Sequence, residues 1–329
     1  MQLVALAKNP VPGGAFAGAL TGFGGVKLRF ARWAATRGPR RGTVCVFGGR
    51  GEFIEKYFEV IADLRRRGFA VATMDWRGQG GSQRLTSDPH KGHVNSFSDY
   101  DQDLKIFMRE VVLPDCPPPF IALAHSMGAN ILLRNAAQPG SWFDRMVLTA
   151  PMIAIAPARV GFPRWVAVSY AEGGCLLGLS RFYVRGGSEA CVEQGPFDGN
   201  YLTSDRERWA RNKAVLDLAP EIGLGSPTIG WLRAAYRSMD LISDPLYPKQ
   251  VHVPLLLFTP SKDEVVSASA IEEFGARLKV GAHVLMPGSR HEVLQEADNI
   301  RLRFWAAFDA YLGVDDPGLS GAKGLSFTG

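Results

Sequence analysis

The patterns of a metal site and of a membrane span are missing from this chain. Its four cysteines, Cys45, Cys116, Cys175 and Cys191, form no C-x-x-C pair, and its six histidines offer no pair at zinc-ligand spacing. No uninterrupted apolar run reaches the roughly 18 residues of a bilayer-crossing helix. The N-terminus lacks the charged start and continuous apolar core of a signal peptide. The expected compartment is therefore the cytoplasm, with peripheral contact at the inner membrane face left open. In so long a chain without a secretory signal, free thiols are expected rather than a Cys175–Cys191 pair, and Cys45 reads as a small core residue. Acidic residues are absent before Glu52, whereas Lys8, Lys27, Arg29, Arg32, Arg37, Arg40, Arg41 and Arg50 all fall in that stretch. Such a block can touch anionic lipid head groups. A solvated surface with a short basic loop is the plainer expectation. No basic stripe interleaved with aromatics accompanies it, so a nucleic-acid partner is not expected. There is no internal repeat.

What is present is the composition of a globular chain. Of its 329 residues, 46% are hydrophobic and 21% charged, with a net charge of +5. That suffices for a large core. Strand and helix signals alternate: "VKLRFARWA", "GTVCVFGG", "FAVATMDW", "PFIALAHS", "RMVLTAPM", "VPLLLFTP" and "AHVLMPG" read as strands. Between them, "EFIEKYFEVIADLRRRG", "FSDYDQDLKIFMREVV", "MGANILLRNAA" and the terminal "NIRLRFWAAFDAYLG" carry helical spacing. Buried strands alternating with helices predict an α/β chain with a mostly parallel sheet covered on both faces. The core is expected over 1–151 and 246–312, with 1–24 loosely ordered and 313–329 a flexible tail. Residues 152–245 break the rhythm and read as an inserted helical cap. In "PTIGWLRAAYRSMDLI", Trp231, Leu232, Ala235, Tyr236 and Met239 share one face. Such a stripe either packs on the body, the commoner outcome, or lines an acyl-chain channel.

Chemistry concentrates at "LAHSMGAN". Ser126 directly follows a buried strand and directly precedes a helix. A sharp turn there exposes the hydroxyl above the sheet and demands small residues two before and two after, here Ala124 and Gly128. The plain alternative is a helix N-cap serine. A serine needs a base. His125 should point away from it across the turn, His252 precedes one strand and His283 lies inside another, and His90 and His93 sit in a polar loop before a helix and read as solvated. His291 follows the last strand, where an α/β hydrolase carries its base. The loop after "LLLFTP" offers Asp263 or Glu264 as the carboxylate that orients the histidine, and the shorter Asp263 suits a tight loop. The order Ser126, Asp263, His291 is that of the α/β-hydrolase fold. The oxyanion donors expected are the backbone N–H groups of Met127, at a helix start, and of Arg50, in the loop "GGRGE". That loop lacks the Lys-Ser/Thr of a nucleotide-binding loop. "DWRGQGGS" reads as a turn that shapes the fold.

Jointly, "GGRGEFIEKY", "DWRGQGGS", "AHSMG", "SKDEVV" and "GSRHEVLQE" resemble the lysophospholipase and monoacylglycerol lipase branch of the α/β hydrolases, most closely the bacterial lysophospholipase L2 type. They span residue 48 to about 295. The stretches "LTSDRERW" and "GSPTIGWLRAA" are similar to that group's cap. The resemblance implies Ser126 as nucleophile, Asp263 as acid, His291 as base, and Met127 and Arg50 as oxyanion donors. Gly48 stands where members often carry histidine, so one side chain that orders the loop is missing. A serine esterase acting on a single-acyl-chain lipid ester is implied, with no metal and no organic cofactor. An acyltransferase or thioesterase using the same three residues remains a rival, as does a catalytically silent binding module.

Overall fold

The computed structural model describes residues 2–36 and 38–314. One eight-stranded sheet runs in the order β1-β2-β4-β3-β5-β6-β7-β8. The strands are β1 Phe16–Thr21, β2 Lys27–Trp33, β3 Thr43–Phe47, β4 Ala70–Met74, β5 Phe120–His125, β6 Arg145–Thr149, β7 Leu255–Pro260 and β8 Gly281–Met286. The neighbours from β4 through β8 pair in parallel, and β2 pairs antiparallel with both β1 and β4.

The helices are α1 Phe58–Arg66, α2 Phe97–Phe107, the short turn α3 Leu113–Asp115, α4 Ser126–Ala136, α5 Pro157–Val160, α6 Arg164–Leu176, α7 Arg206–Leu218, α8 Ile229–Ser243, α9 Ala268–Ala276 and α10 Asp298–Leu312. The two-residue period of the strands sorts the core. Val44 and Val46 of β3 join α1 and α10 on one face, with Ile61, Leu64, Phe304 and Phe308. Cys45 and Phe47 point the other way, to α2, α4, α8 and α9, with Phe107, Ile131, Met239 and Phe274. The run "TVCVF" is therefore apolar throughout, as a strand buried on both faces must be. Gly313, in the left-handed region at φ 65°, closes α10. Residues 315–329, most of the expected tail, lie outside the described residues. No helix among those described is long and apolar enough to cross a membrane. All four cysteines are unpaired.

Three expectations need correction. The N-terminal stretch is not loose: Phe16 to Thr21 pair residue for residue with Arg32 to Lys27. "FAGALT" is too rich in Gly and Ala to signal a strand, and its neighbour supplies the ladder. A helix stands where none was expected, since Ala268–Ala276 form α9, capped by Ser267. The basic block is also not wholly solvated. Arg29, only 2% exposed, holds Glu55 through both terminal nitrogens, at 2.7 and 2.8 Å. Its Nε donates to Asp75 at 2.6 Å. Asp75 opens the turn "DWRGQGGS", so this ion pair fixes β2 against that turn. The apolar stripe of α8 takes its commoner course: Trp231, Ala235, Tyr236 and Met239 are buried in the core beside α2 and α4.

Replacing Arg29 by Met leaves two carboxylates buried without a cation. Arg29→Met should lower the unfolding free energy by about 3–5 kcal/mol. Urea denaturation measures this, and a change below about 1 kcal/mol would contradict the buried pairing.

Candidate active site

β5 ends at His125 and α4 begins at Ser126, with no loop between them. Ser126 has φ 49°, a region that non-glycine residues avoid. The turn survives because its surroundings allow nothing larger. A Cβ on Gly128 would lie 2.5 Å from the Gly48 carbonyl oxygen and 2.8 Å from that of Phe47. A Cβ on Gly49 would lie 3.1 Å from Ser126 Cβ. Ala124, the small residue before the turn, is buried.

The hydroxyl of Ser126 is 3.0 Å from His291 Nε2, and His291 Nδ1 is 2.7 Å from Asp263 Oδ2. The other Asp263 oxygen accepts from the backbone N–H groups of Val265 and Val266 at 2.7 and 3.0 Å. Glu264, the rival carboxylate, is exposed. Burial alone would favour neutral forms of both partners. Their attraction outweighs it, holding the Asp263 carboxyl below its usual range and raising His291 above 6.5.

The remaining histidines sort by contact. His125 does not bond to Ser126, yet it stays near: its ring centroid is 4.6 Å from that of His291. Its Nδ1 meets Thr149 Oγ1 at 3.2 Å. Burial, only partly opposed by Glu52, lowers His125 to about 4, so it is neutral at ordinary pH. His93 is not solvated. It is buried and bonds Thr228 Oγ1, the cap of α8, at 2.8 Å. Nothing near it in sequence announced that long-range partner.

The loop "GGRGE" follows β3 and lies against the serine. Among the described residues, the backbone N–H groups of Arg50 and Met127 donate to no protein acceptor, as an oxyanion pair requires. Two side chains that motif reasoning passed over hold this loop. Gln79, from the turn after β4, donates to the carbonyls of Gly49 and Glu52 at 2.7 and 3.1 Å and accepts from Gly51 N–H at 3.2 Å. Glu52 Oε2 accepts from Gly49 N–H and, at 2.6 Å, from Tyr57 Oη. Glu52 thus orders the loop that no histidine at position 48 supports.

Beneath lies a fully buried Lys56. Its Nζ is 3.1 Å from Glu52, 2.6 Å from Glu292 and in contact with Glu193. Three carboxylates surround one cation, and they divide the charge unequally. Burial and the neighbouring carboxylates push Glu292 up to about 8, despite Lys56. For Glu52 the order reverses: burial is outweighed by Lys56 and by its hydrogen bonds, which bring it down to about 2. Glu193 comes from the segment between β6 and β7. That segment also lays Gly225 on Arg50 and Leu202 on Glu292, beside the loop and His291.

The fold and the strand-end serine define the α/β-hydrolase class of serine hydrolases. A family model described as "Serine aminopeptidase, S33" matches residues 38–298. The chain belongs to that family, in its lysophospholipase and monoacylglycerol lipase branch, and is a carboxylic-ester hydrolase. It is 32% identical over 294 residues to lysophospholipase L2 of Escherichia coli K12, covering 85% of this chain and 82% of that protein. A soluble variant of monoglyceride lipase from Saccharomyces cerevisiae superposes with a TM-score of 0.73 at 19% identity, over 91% of this chain and 96% of that one. A carboxyl esterase from Bacillus coagulans gives 0.70 at 19% identity, over 92% and 99%. At such identities the two structures speak for the fold.

Because Asp263 raises His291, its imidazolium should persist above pH 6.5 and be lost as pH rises further. Asp263→Asn removes the stabilising charge, so the midpoint should move to lower pH. Titration of the His291 ring by NMR checks this; an unmoved midpoint would contradict the assigned pair.

Proposed function

We propose that the protein is a lysophospholipase, removing the single acyl chain of a glycerophospholipid through Ser126, His291 and Asp263. The observation that carries this reading is the unbroken line of contacts from Asp263 to His291 to a serine held in the left-handed region. Ser126 Oγ attacks the ester carbonyl carbon while His291 Nε2 takes its proton. Asp263 keeps the proton on Nδ1 and stabilises the imidazolium. The carbonyl oxygen becomes an oxyanion between the N–H groups of Arg50 and Met127. Collapse breaks the ester C–O bond, and His291 returns the proton to the departing glycerol oxygen. Water, deprotonated by His291, then cleaves the acyl-serine, releasing fatty acid and Ser126. The substrate class is supported by likeness to lysophospholipase L2 over most of both chains. We take residues 152–245 as the cap that covers the acyl chain.

Contact with a lipid surface fits this substrate. The α5–α6 region exposes Trp165 at 71% and Leu176 at 86%, with Phe162, Leu177 and Phe182 beside them. Arg159, Arg181 and Arg185 share that exposed stretch. Apolar tips flanked by cations suit an anionic bilayer surface.

Ser126→Ala should reduce kcat by about three orders of magnitude or more and abolish fluorophosphonate labelling. Activity within about tenfold of the parent would sink the assignment. Long-chain lysophospholipids should be hydrolysed. Turnover confined to short p-nitrophenyl esters would defeat the substrate reading, and acyl transfer to an added alcohol as the main product would favour the transferase. For the surface contact, changing Trp165, Leu176 and Leu177 together to Ser should release the protein from sedimenting anionic vesicles. Undiminished co-sedimentation would refute that docking face.

A further inference from the structure

Arg50 has a side chain that the ester chemistry does not use. Only its backbone N–H enters the oxyanion role. The guanidinium is folded under the segment between β6 and β7, where one terminal nitrogen donates to the Gly225 carbonyl at 2.5 Å. Its face lies 5.3 Å from the centre of the Trp231 ring. Nε is out of contact with water and has no partner. After burial, the neighbours that act most on its charge are Tyr100, Cys191, Tyr201 and Tyr183, none of them a carboxylate. Among the described residues it makes no ion pair, whereas Arg29, Arg77 and Arg134, which are largely buried, each hold at least one carboxylate. A neutral carbonyl does not balance a cation. A half-buried guanidinium with a sealed, unpaired Nε–H and no counter-ion is costly unless an anion arrives to meet it.

The place of that charge is telling. Gly49, next to Arg50, packs against Ser126, so the cation belongs to the loop that meets the scissile carbonyl. In a 1-acyl glycerophospholipid, the chain of bonds from the ester carbonyl carbon to phosphorus is as long as the Arg50 side chain from Cα to its terminal nitrogens. A carbonyl oxygen at the Arg50 N–H therefore leaves the phosphate within reach of the same residue's guanidinium.

We propose that the Arg50 guanidinium is the phosphate-binding element of the site, receiving the phosphodiester of a lysophospholipid whose ester carbonyl faces Ser126. This rests on the lysophospholipase reading and adds its selectivity: a monoacylglycerol with the same chain presents no anion to Arg50. The bond is a charge-assisted fork of the kind guanidinium forms with phosphate.

The test compares kcat/KM for a lysophosphatidylcholine and a monoacylglycerol of equal chain length, both below their micellar concentrations. Arg50→Gln keeps a polar side chain and removes the charge. It should lower the lysophospholipid-to-monoacylglycerol ratio about 10- to 100-fold, the worth of a charged hydrogen bond, and Arg50→Lys should recover part of it. A ratio within about threefold of the parent's overturns the proposal and leaves the lysophospholipase reading intact. A parent protein that ignores lysophosphatidylcholine overturns both. Should Arg50→Gln fail to fold, the parent decides alone. Glycerophosphocholine should competitively inhibit monoacylglycerol hydrolysis where glycerol does not, and equal effects of the two overturn the proposal. Inhibition by inorganic phosphate together with an unmoved ratio assigns the charge to free phosphate and overturns the substrate role.

Discussion

The site depends on one buried ammonium. Lys56 Nζ joins three carboxylates from three separate segments: Glu52 beside the oxyanion loop, Glu292 next to His291, and Glu193 from the segment between β6 and β7. Each of these acids is buried, and each would be costly there without the cation. A buried ion cluster adds little net stability over a well-packed apolar one. What it supplies here is placement. Glu52 keeps its charge and turns it on Gly49 N–H, which orients the loop beside Ser126. Glu292 stands next to His291 and donates its own N–H to Leu202. An apolar substitute could fill the volume, but it could not aim the Gly49 amide.

Backbone strain is concentrated where two parallel strands end. Ser126 after β5 and Ala150 after β6 are the non-glycine residues with positive φ, at 49° and 46° among the described residues. Each such residue costs on the order of 1–3 kcal/mol. Their surroundings hold them in place. Ala150 N–H donates to Phe258 of β7, and Met152 N–H donates to the carbonyl of Ser126 itself. The ladder of β5, β6 and β7 thus fixes both turns at once. The sheet carries the strain that lifts the serine hydroxyl toward His291.

The sequence made the fold legible through its fully apolar strands, since "TVCVF" and "FIALAH" admit few other readings. That Ser126, Asp263 and His291 meet was legible because each follows a strand, in the order the α/β-hydrolase fold uses. Three kinds of feature were not. β1 borrows its strand character from β2, so "FAGALT" had no signal of its own. Arg29 looked like one more surface cation, because a charge count does not show that Glu55 and Asp75 face it. The support of the loop after β3 was only partly local: Glu52 lies near Gly49, Lys56 and Tyr57 in sequence, but Lys56 also meets acids 137 and 236 residues away. Motif spacing describes neighbours in sequence and cannot show those distant members.

The same contacts surround the serine. Ser126 is 7% exposed and His291 only 4%. The segment between β6 and β7 is tied down by Glu193 on Lys56, Leu202 on Glu292 N–H, and Gly225 on Arg50. The first two ties also position the loop and His291. The third is different, because its donor carries a charge that no carboxylate balances. A phosphodiester is the stronger acceptor for that guanidinium. On the proposal that Arg50 receives the phosphodiester, binding would compete for the one tie that is not also part of the Lys56 cluster or the Glu292 amide.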